Sequence, residues 1–138
     1  MIDLILCTQD DLNILADLNK QLIEDEKSDN KMNIDQLKER MRGFLETDYN
    51  AYLFKRHNTV VGYALVKKSQ APIYLRQFFI CREYRKRGYG REAFNKLMHL
   101  LGTDAIDIEV LCWNNAGKLF WDSLGFKERS VYMRYNKD

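Results

Sequence analysis

Apolar residues recur along the chain with two periods, and the switches between them mark out its elements. Ile2 to Cys7 reads as a first strand. Thr8-Gln9-Asp10-Asp11 then offers a capping box of the form T-x-x-D, after which Leu12, Leu15, Leu18 and Leu22 repeat at helical spacing. The polar run from Glu24 to Lys31 ends that helix. Asn33, with Gln36 three residues on, opens a second helix that carries Ile34, Leu37, Met41, Phe44 and Leu45 on one face. Tyr49 to Phe54 and Thr59 to Lys67 read as antiparallel strands joined by Lys55-Arg56-His57-Asn58, which has the length and polarity of a hairpin turn. Pro72 opens the next strand, Ile73 to Cys81, where a missing N–H does least harm.

Two glycines, Gly88 and Gly90, separate that strand from a third helix with Ala93, Phe94, Leu97, Met98 and Leu101 as its apolar positions. Ile106 to Cys112 is predicted as a fifth strand, and its link through a helix implies a parallel crossover. A fourth helix spans Asn115 to Leu124 and stops at Gly125, and Lys127 to Tyr135 is expected to close the sheet. This order predicts an α/β (α+β) fold over residues 1–138 as one domain, with a mixed sheet covered by helices on both faces.

Composition narrows the classes. With 46% hydrophobic residues in 138, the chain is long enough for one proper core. Lys and Arg number 22 against 20 Asp and Glu, a net charge of +2, so no overall basic field draws it to nucleic acid or a membrane. The amino terminus lacks a basic leader and no stretch is long enough to span a bilayer, which leads us to expect a soluble, cytoplasmic protein. Cys7, Cys81 and Cys112 are far apart in or at the end of predicted strands, and read as buried free thiols. Two histidines, His57 and His99, make a histidine-based metal site an unexpected feature, and no metal is predicted.

The chemistry concentrates in Phe78-Phe79-Ile80-Cys81-Arg82-Glu83-Tyr84-Arg85-Lys86-Arg87-Gly88-Tyr89-Gly90-Arg91. A strand that stops at such a turn presents unpaired N–H groups at a helix N-terminus, where the helix dipole favours negative charge. Glycine permits close backbone approach, and Arg85, Lys86, Arg87 and Arg91 add positive charge suited to a diphosphate. The same residues also suit an ordinary solvated helix entry. The run has neither the third glycine of a dinucleotide fingerprint nor a G-K-[ST] ending.

Arg85-Lys86-Arg87-Gly88-Tyr89-Gly90 resembles the [Q/R]-x-x-G-x-[G/A] motif of the GCN5-related N-acetyltransferases (GNAT). A second block, Asn114 to Phe126, is similar to that family's N-x-x-A-x-x-F-Y-x-x-x-G-F segment. The resemblance implies a mostly antiparallel mixed sheet whose fourth and fifth strands splay apart to admit acetyl-CoA as co-substrate. By that analogy the pantetheine would lie along Phe78, Phe79 and Ile80, and the amides of Arg87 to Gly90 would face the pyrophosphate. Asn114 would flank the pantetheine, with Trp121 packing there, while Arg85, Lys86 and Lys118 would meet the phosphate and adenosine end. An amide at Phe79 or Ile80 would stabilise the oxyanion.

Two family positions differ. Trp121 replaces a tyrosine that often serves as general acid, and its indole has no proton to give at neutral pH. Arg76 stands where a strand-four glutamate often serves as base. Tyr84, Tyr89, Tyr132 or Tyr135, an unprotonated thiolate or a water then remain for the acid role. Glu24, Asp25, Glu26 and Glu109 are the carboxylates available as base, with Glu24 and Glu109 the leading candidates; Glu109 sits on a strand face opposite Ile108 and Val110. The acidic run Glu24 to Asp29 would suit a cationic acceptor if it lines the cleft. The expected activity is acetyl transfer to a primary amine of a small molecule or peptide. The alternative is a non-catalytic acyl-CoA sensor. Edge strands near the C-terminus would permit a homodimer.

Overall fold

A computed structural model describes residues 1–137. Strands β1 (Asp3–Leu6), β2 (Tyr49–Arg56), β3 (Thr59–Lys67), β4 (Ile73–Ile80) and β5 (Ile106–Asp107) form one sheet in that order. Every pairing is antiparallel except β4 with β5. Helices α1 (Leu12–Asp25), α2 (Ile34–Leu45), α3 (Tyr89–Leu101) and α4 (Asn115–Ser123) complete the chain.

Both faces of the sheet are covered because its central strands are apolar on both sides. Ala51 to Phe54 and Val61 to Val66 are buried without alternation. On one face Leu15, Leu18 and Leu22 of α1 and Met41 of α2 pack with Leu53, Tyr63, Leu65 and Phe79. On the other, Ala93, Phe94 and Leu97 of α3 pack with Tyr52, Phe54, Val66 and Leu75. The two capping boxes form. Thr8 accepts from Asp10 N–H while its own N–H donates to Asp11, and Asn33 and Gln36 exchange reciprocal bonds of 2.9 Å.

Strand β4 is irregular along both of its edges. The β4–β5 pairing has only two registers, Ile73↔Ile106 and Tyr74↔Asp107, after which the strands part. Beyond Tyr74, β4 therefore offers a free edge. On its other side the β3–β4 register slips: Leu65 faces Gln77 but Val66 faces Leu75, so Arg76 is an extra, bulged residue. A bulge of this kind bends the strand and re-aims a side chain.

Three expectations need correction. The fifth strand stops at Asp107 rather than running to Cys112, because the chain turns away over 112–113 and Asn114 N–H bonds back to Leu111. Cys112 is consequently exposed, while Cys7 and Cys81 are buried as free thiols. Lys127 to Tyr135 forms no strand, and Val131, Tyr132, Met133 and Tyr135 are 75–84% exposed. That segment pairs with none of the five strands, and β5 ends the sheet after only two residues. Among the described residues, no helix is long and apolar enough to cross a membrane.

Candidate active site

The parting of β4 from β5 makes a split whose floor is the β4 edge. Cys81 N–H donates to Val61 O at 2.8 Å, and alternation along an extended strand turns Phe79 to β3 as well. The main-chain groups of Phe78 and Ile80 accordingly face the split. Gly62 of β3 is required behind them, since a Cβ there would collide with the carbonyl of Phe79.

At its far end β4 runs into a short 3₁₀ turn over Arg82–Tyr84 and then into α3. Gly88 sits at the N-cap with φ 82°, in the left-handed region, and no side chain caps the helix. Lys86 also has positive φ, 62°. Left-handed residues on either side of Arg87 curl the main chain into a concavity lined by N–H groups, which is suited to an anion. The backbone strain of a non-glycine residue there is about 1–3 kcal/mol and concentrates at functional loops. Gly90 has a different reason to lack a side chain: a Cβ would lie 3.0 Å from the ring of Phe120 on α4.

The basic residues around this cradle divide. Arg85, though exposed, is tied back to the protein: its Nε donates to Ile80 O at 2.8 Å, its Nη2 meets Asp25 at 2.7 Å, and it lies 5.3 Å from the Phe79 ring centre. Arg82 also pairs with Asp25. Arg91 donates to both oxygens of Ser123 at 3.2 Å and ties α3 to α4. Lys86 and Arg87 stay exposed at the cradle, Arg87 over the Tyr84 ring at 5.9 Å. Tyr89, the first residue of α3, lies under Arg56.

The wall opposite β4 is aromatic. Trp121 lies edge-on to Phe78, Phe94, Phe120 and Phe126 at 4.8–5.8 Å, and Phe78 stacks on Phe120 at 6.0 Å. Such pairs contribute about 0.5–1.5 kcal/mol each beyond area burial. Asn114 caps α4, its Oδ1 accepting from Gly117 N–H at 3.0 Å, and Lys118 follows one turn later. Trp113, just before that cap, reaches across the mouth of the split, where its Nε1 donates to the carbonyl of Glu26 at 2.9 Å.

The open face of the split looks toward α1 and α2. Beneath that face, in the core, buried Tyr63 donates its Oη to Gln77 at 2.7 Å and Arg40 Nη2 donates to buried Asn19 at 3.1 Å. Burial pushes the Tyr63 hydroxyl well above its usual range, with Arg40 opposing and Glu26 adding to the shift. Glu26 is half-buried at the end of α1, and burial raises its carboxyl pKa. Glu24 is exposed and lines a cleft of about 230 Å³ with Gln21, Asp25, Arg82 and Glu83. Glu109 stands where β5 leaves the sheet and accepts from Tyr74 Oη at 3.0 Å. Burial, then the Glu109 charge, push Tyr74 up to about 12. Tyr132 and Tyr135 are exposed on the C-terminal segment, where Arg134 bonds to Tyr132 Oη and approaches Asp29 at 3.6 Å.

The structure places Phe78 and Ile80 on the free edge of β4, Lys86 to Gly90 in the turn that leads from it into α3 and Asn114 at the start of α4, and it sets Glu24 in a cleft with Asp25, Arg82 and Glu83. Sequence reasoning passed over Arg40, Tyr63 and Trp113. Arg40 and Asn19 did leave a signal, as polar residues inside the apolar stripes of α2 and α1. Among the described residues, no group of three or more His, Cys, Asp or Glu is placed to hold a metal.

A family model described as the acetyltransferase (GNAT) family matches residues 14–126. No curated protein matches at sequence level. Solved structures are similar over nearly the full length. A possible acetyltransferase from Clostridium difficile 630 superposes with a TM-score of 0.78 at 19% identity, covering 100% of this chain and 98% of that one. A predicted acetyltransferase with acetyl-CoA from Clostridium acetobutylicum gives 0.75 at 12%, covering 99% and 96%. An aminoglycoside N-acetyltransferase in complex with CoA gives 0.76 at 17%, covering 99% and 95%.

Proposed function

Because the chain belongs to the acetyltransferase (GNAT) family, we propose that it moves an acetyl group from acetyl-CoA directly to the primary amine of a small molecule or peptide. The observation that carries this reading is the continuity of the β4 edge. From Leu75 to Ile80 it is left unpaired by β5, and it leads into a helix N-terminus that no side chain caps. A pantetheine amide can bond along such an edge while a diphosphate meets the N–H groups at Gly88. Similar structures that hold acetyl-CoA or CoA support the same assignment.

Acetyl-CoA supplies the activated acyl thioester, and the chain supplies the rest. The Ile80 or Phe78 N–H donates to the carbonyl oxygen as it gains negative charge. Lys86 and Arg87 balance phosphate charge, Asn114 and Lys118 border the ligand, and the Phe78–Phe120–Trp121 wall excludes water. An ammonium acceptor must lose a proton before it attacks. Glu26 suits that step better than Glu24, which lines a separate cleft, or Glu109, which is bonded to Tyr74, because it lies where Trp113 crosses the mouth of the split and burial raises its carboxyl above the ordinary range. Trp121 has no proton to give, so the thiolate leaves without help from that position.

The test is release of CoA thiol from acetyl-CoA across a panel of amino acids, polyamines, aminoglycosides and lysine peptides. Amine-dependent release is expected. Acetyl-CoA binding without release on any amine would favour a sensor, and no binding would overturn the assignment.

A further inference from the structure

Two arginines reach the open face of the split from different elements, and both lie against one ring. Arg76, the bulged residue of β4, has its guanidinium carbon 4.9 Å from the Phe44 ring centre and donates to Tyr49 Oη at 3.2 Å. Arg40, one turn before Phe44 on α2, lies 5.5 Å from the same ring. Its Nη2 is bonded to Asn19, but its Nε is buried without a partner.

Neither arginine belongs to any ion pair among the described residues. Glu109, on the chain that continues β5, accepts from Tyr74 and makes no ion pair with Arg76. Burial, then the charge of Arg76, lower the pKa of Arg40, so its cation is disfavoured where it lies. A half-buried guanidinium beside a second cation, with its Nε unpartnered and no counter-charge, is held at a cost that an incoming anion relieves. Stacking on Phe44 orients the planar forks, and a fork matches a carboxylate through two parallel bonds.

We propose that Arg40 and Arg76 recognise a carboxylate on the acceptor, so that the substrate is an amino acid, with a primary amine and a carboxylate in one small molecule. The inference rests on the transferase reading of the same split. Polyamines and aminoglycosides would instead bring positive charge against two unpaired cations.

The deciding experiment is calorimetric titration of the full chain, with and without CoA. The probes are the N-acetyl derivatives of alanine, leucine, glutamate and 4-aminobutyrate, each beside its carboxamide. The acids should bind at least about tenfold more tightly than the amides, the lower end expected for charge-assisted bonds. Arg76→Gln should collapse that ratio to below about threefold, and Arg76→Lys should restore part of it, since charge returns without the fork. Arg40→Met should lower the ratio too; because Arg40 is half-buried, the exposed Arg76 series decides if that variant does not fold. Equal affinity for acids and amides, equal weakening of both by Arg76→Gln, or binding of neither would overturn the proposal. Failure to bind CoA would fault the transferase reading alone, because the acid–amide ratio is also read without CoA.

Discussion

At the Gly88 end of β4 the proposed ligand contacts are main-chain groups, whereas at the Arg76 end they are side chains drawn from α2 and β4. The first end depends on where the backbone turns and on the absence of a Cβ; the second depends on which side chains separate elements point at one place. Main-chain recognition leaves a compact trace in sequence, because a handful of adjacent residues must permit one conformation. Side-chain recognition leaves a scattered one. Substitutions at the two ends should consequently fail in different ways.

The largest effect is expected from Glu26→Gln. Loss of a general base lowers turnover by about 10²–10⁴ and removes the acidic limb of the rate profile, while acetyl-CoA affinity stays near that of the parent. Stability should move the other way. Burial raises the Glu26 carboxyl, so its ionised form is disfavoured by the fold, and stability is lost as pH rises through the raised value. The neutral glutamine should therefore melt above the parent at about pH 7 and alongside it at about pH 3, below both carboxyl values. A variant that turns over normally with an intact acidic limb would remove Glu26 from the chemistry.

Gly88→Val tests the main-chain end. A Cβ at Gly88 meets no atom within 4 Å, so the penalty is conformational: about 1–2 kcal/mol at φ 82°, or a shift of the loop that dissolves the cradle. Acetyl-CoA affinity should fall about 10–100-fold, the equivalent of one or two charge-assisted bonds, with the far-ultraviolet dichroism unchanged. Unchanged affinity would separate the cradle from the phosphates. Smaller still is Trp113→Phe, which removes one donor to the Glu26 carbonyl across the mouth of the split. About 1 kcal/mol is at stake, seen as a several-fold rise in KM for the amine with little change for acetyl-CoA. An equal change in both constants would show that Trp113 serves the whole split and not its open face.

The same contrast explains what the sequence disclosed. The capping boxes of α1 and α2, the β2–β3 hairpin and the order of the elements were legible because each rests on neighbours in the chain. So was the turn from Phe78 to Arg91. The end of β5 was not, because Ile106 to Cys112 has strand character throughout and only the turn to Asn114 draws it away. Lys127 to Tyr135 was misleading for a related reason: alternation records a preference for extended backbone, not the presence of an edge to pair with. Arg85 reads from its motif as a phosphate contact, and its Nε and Nη2 are engaged by Ile80 and Asp25; no local pattern foretells a partner 60 residues away. Glu26 was visible as a carboxylate, but its burial depends on tertiary packing.

That double engagement of Arg85 has a thermodynamic corollary. One guanidinium holds a β4 carbonyl on the edge proposed for acetyl-CoA and a carboxylate at the end of α1, next to Glu26, the base proposed for the amine, so the two proposed sites share a contact. If a phosphate draws Arg85 away from Asp25, the affinity for amine changes, and linkage requires the amine to change acetyl-CoA affinity by the same factor. Arg85→Gln should abolish that cooperativity, leaving two substrates that bind as though the other were absent.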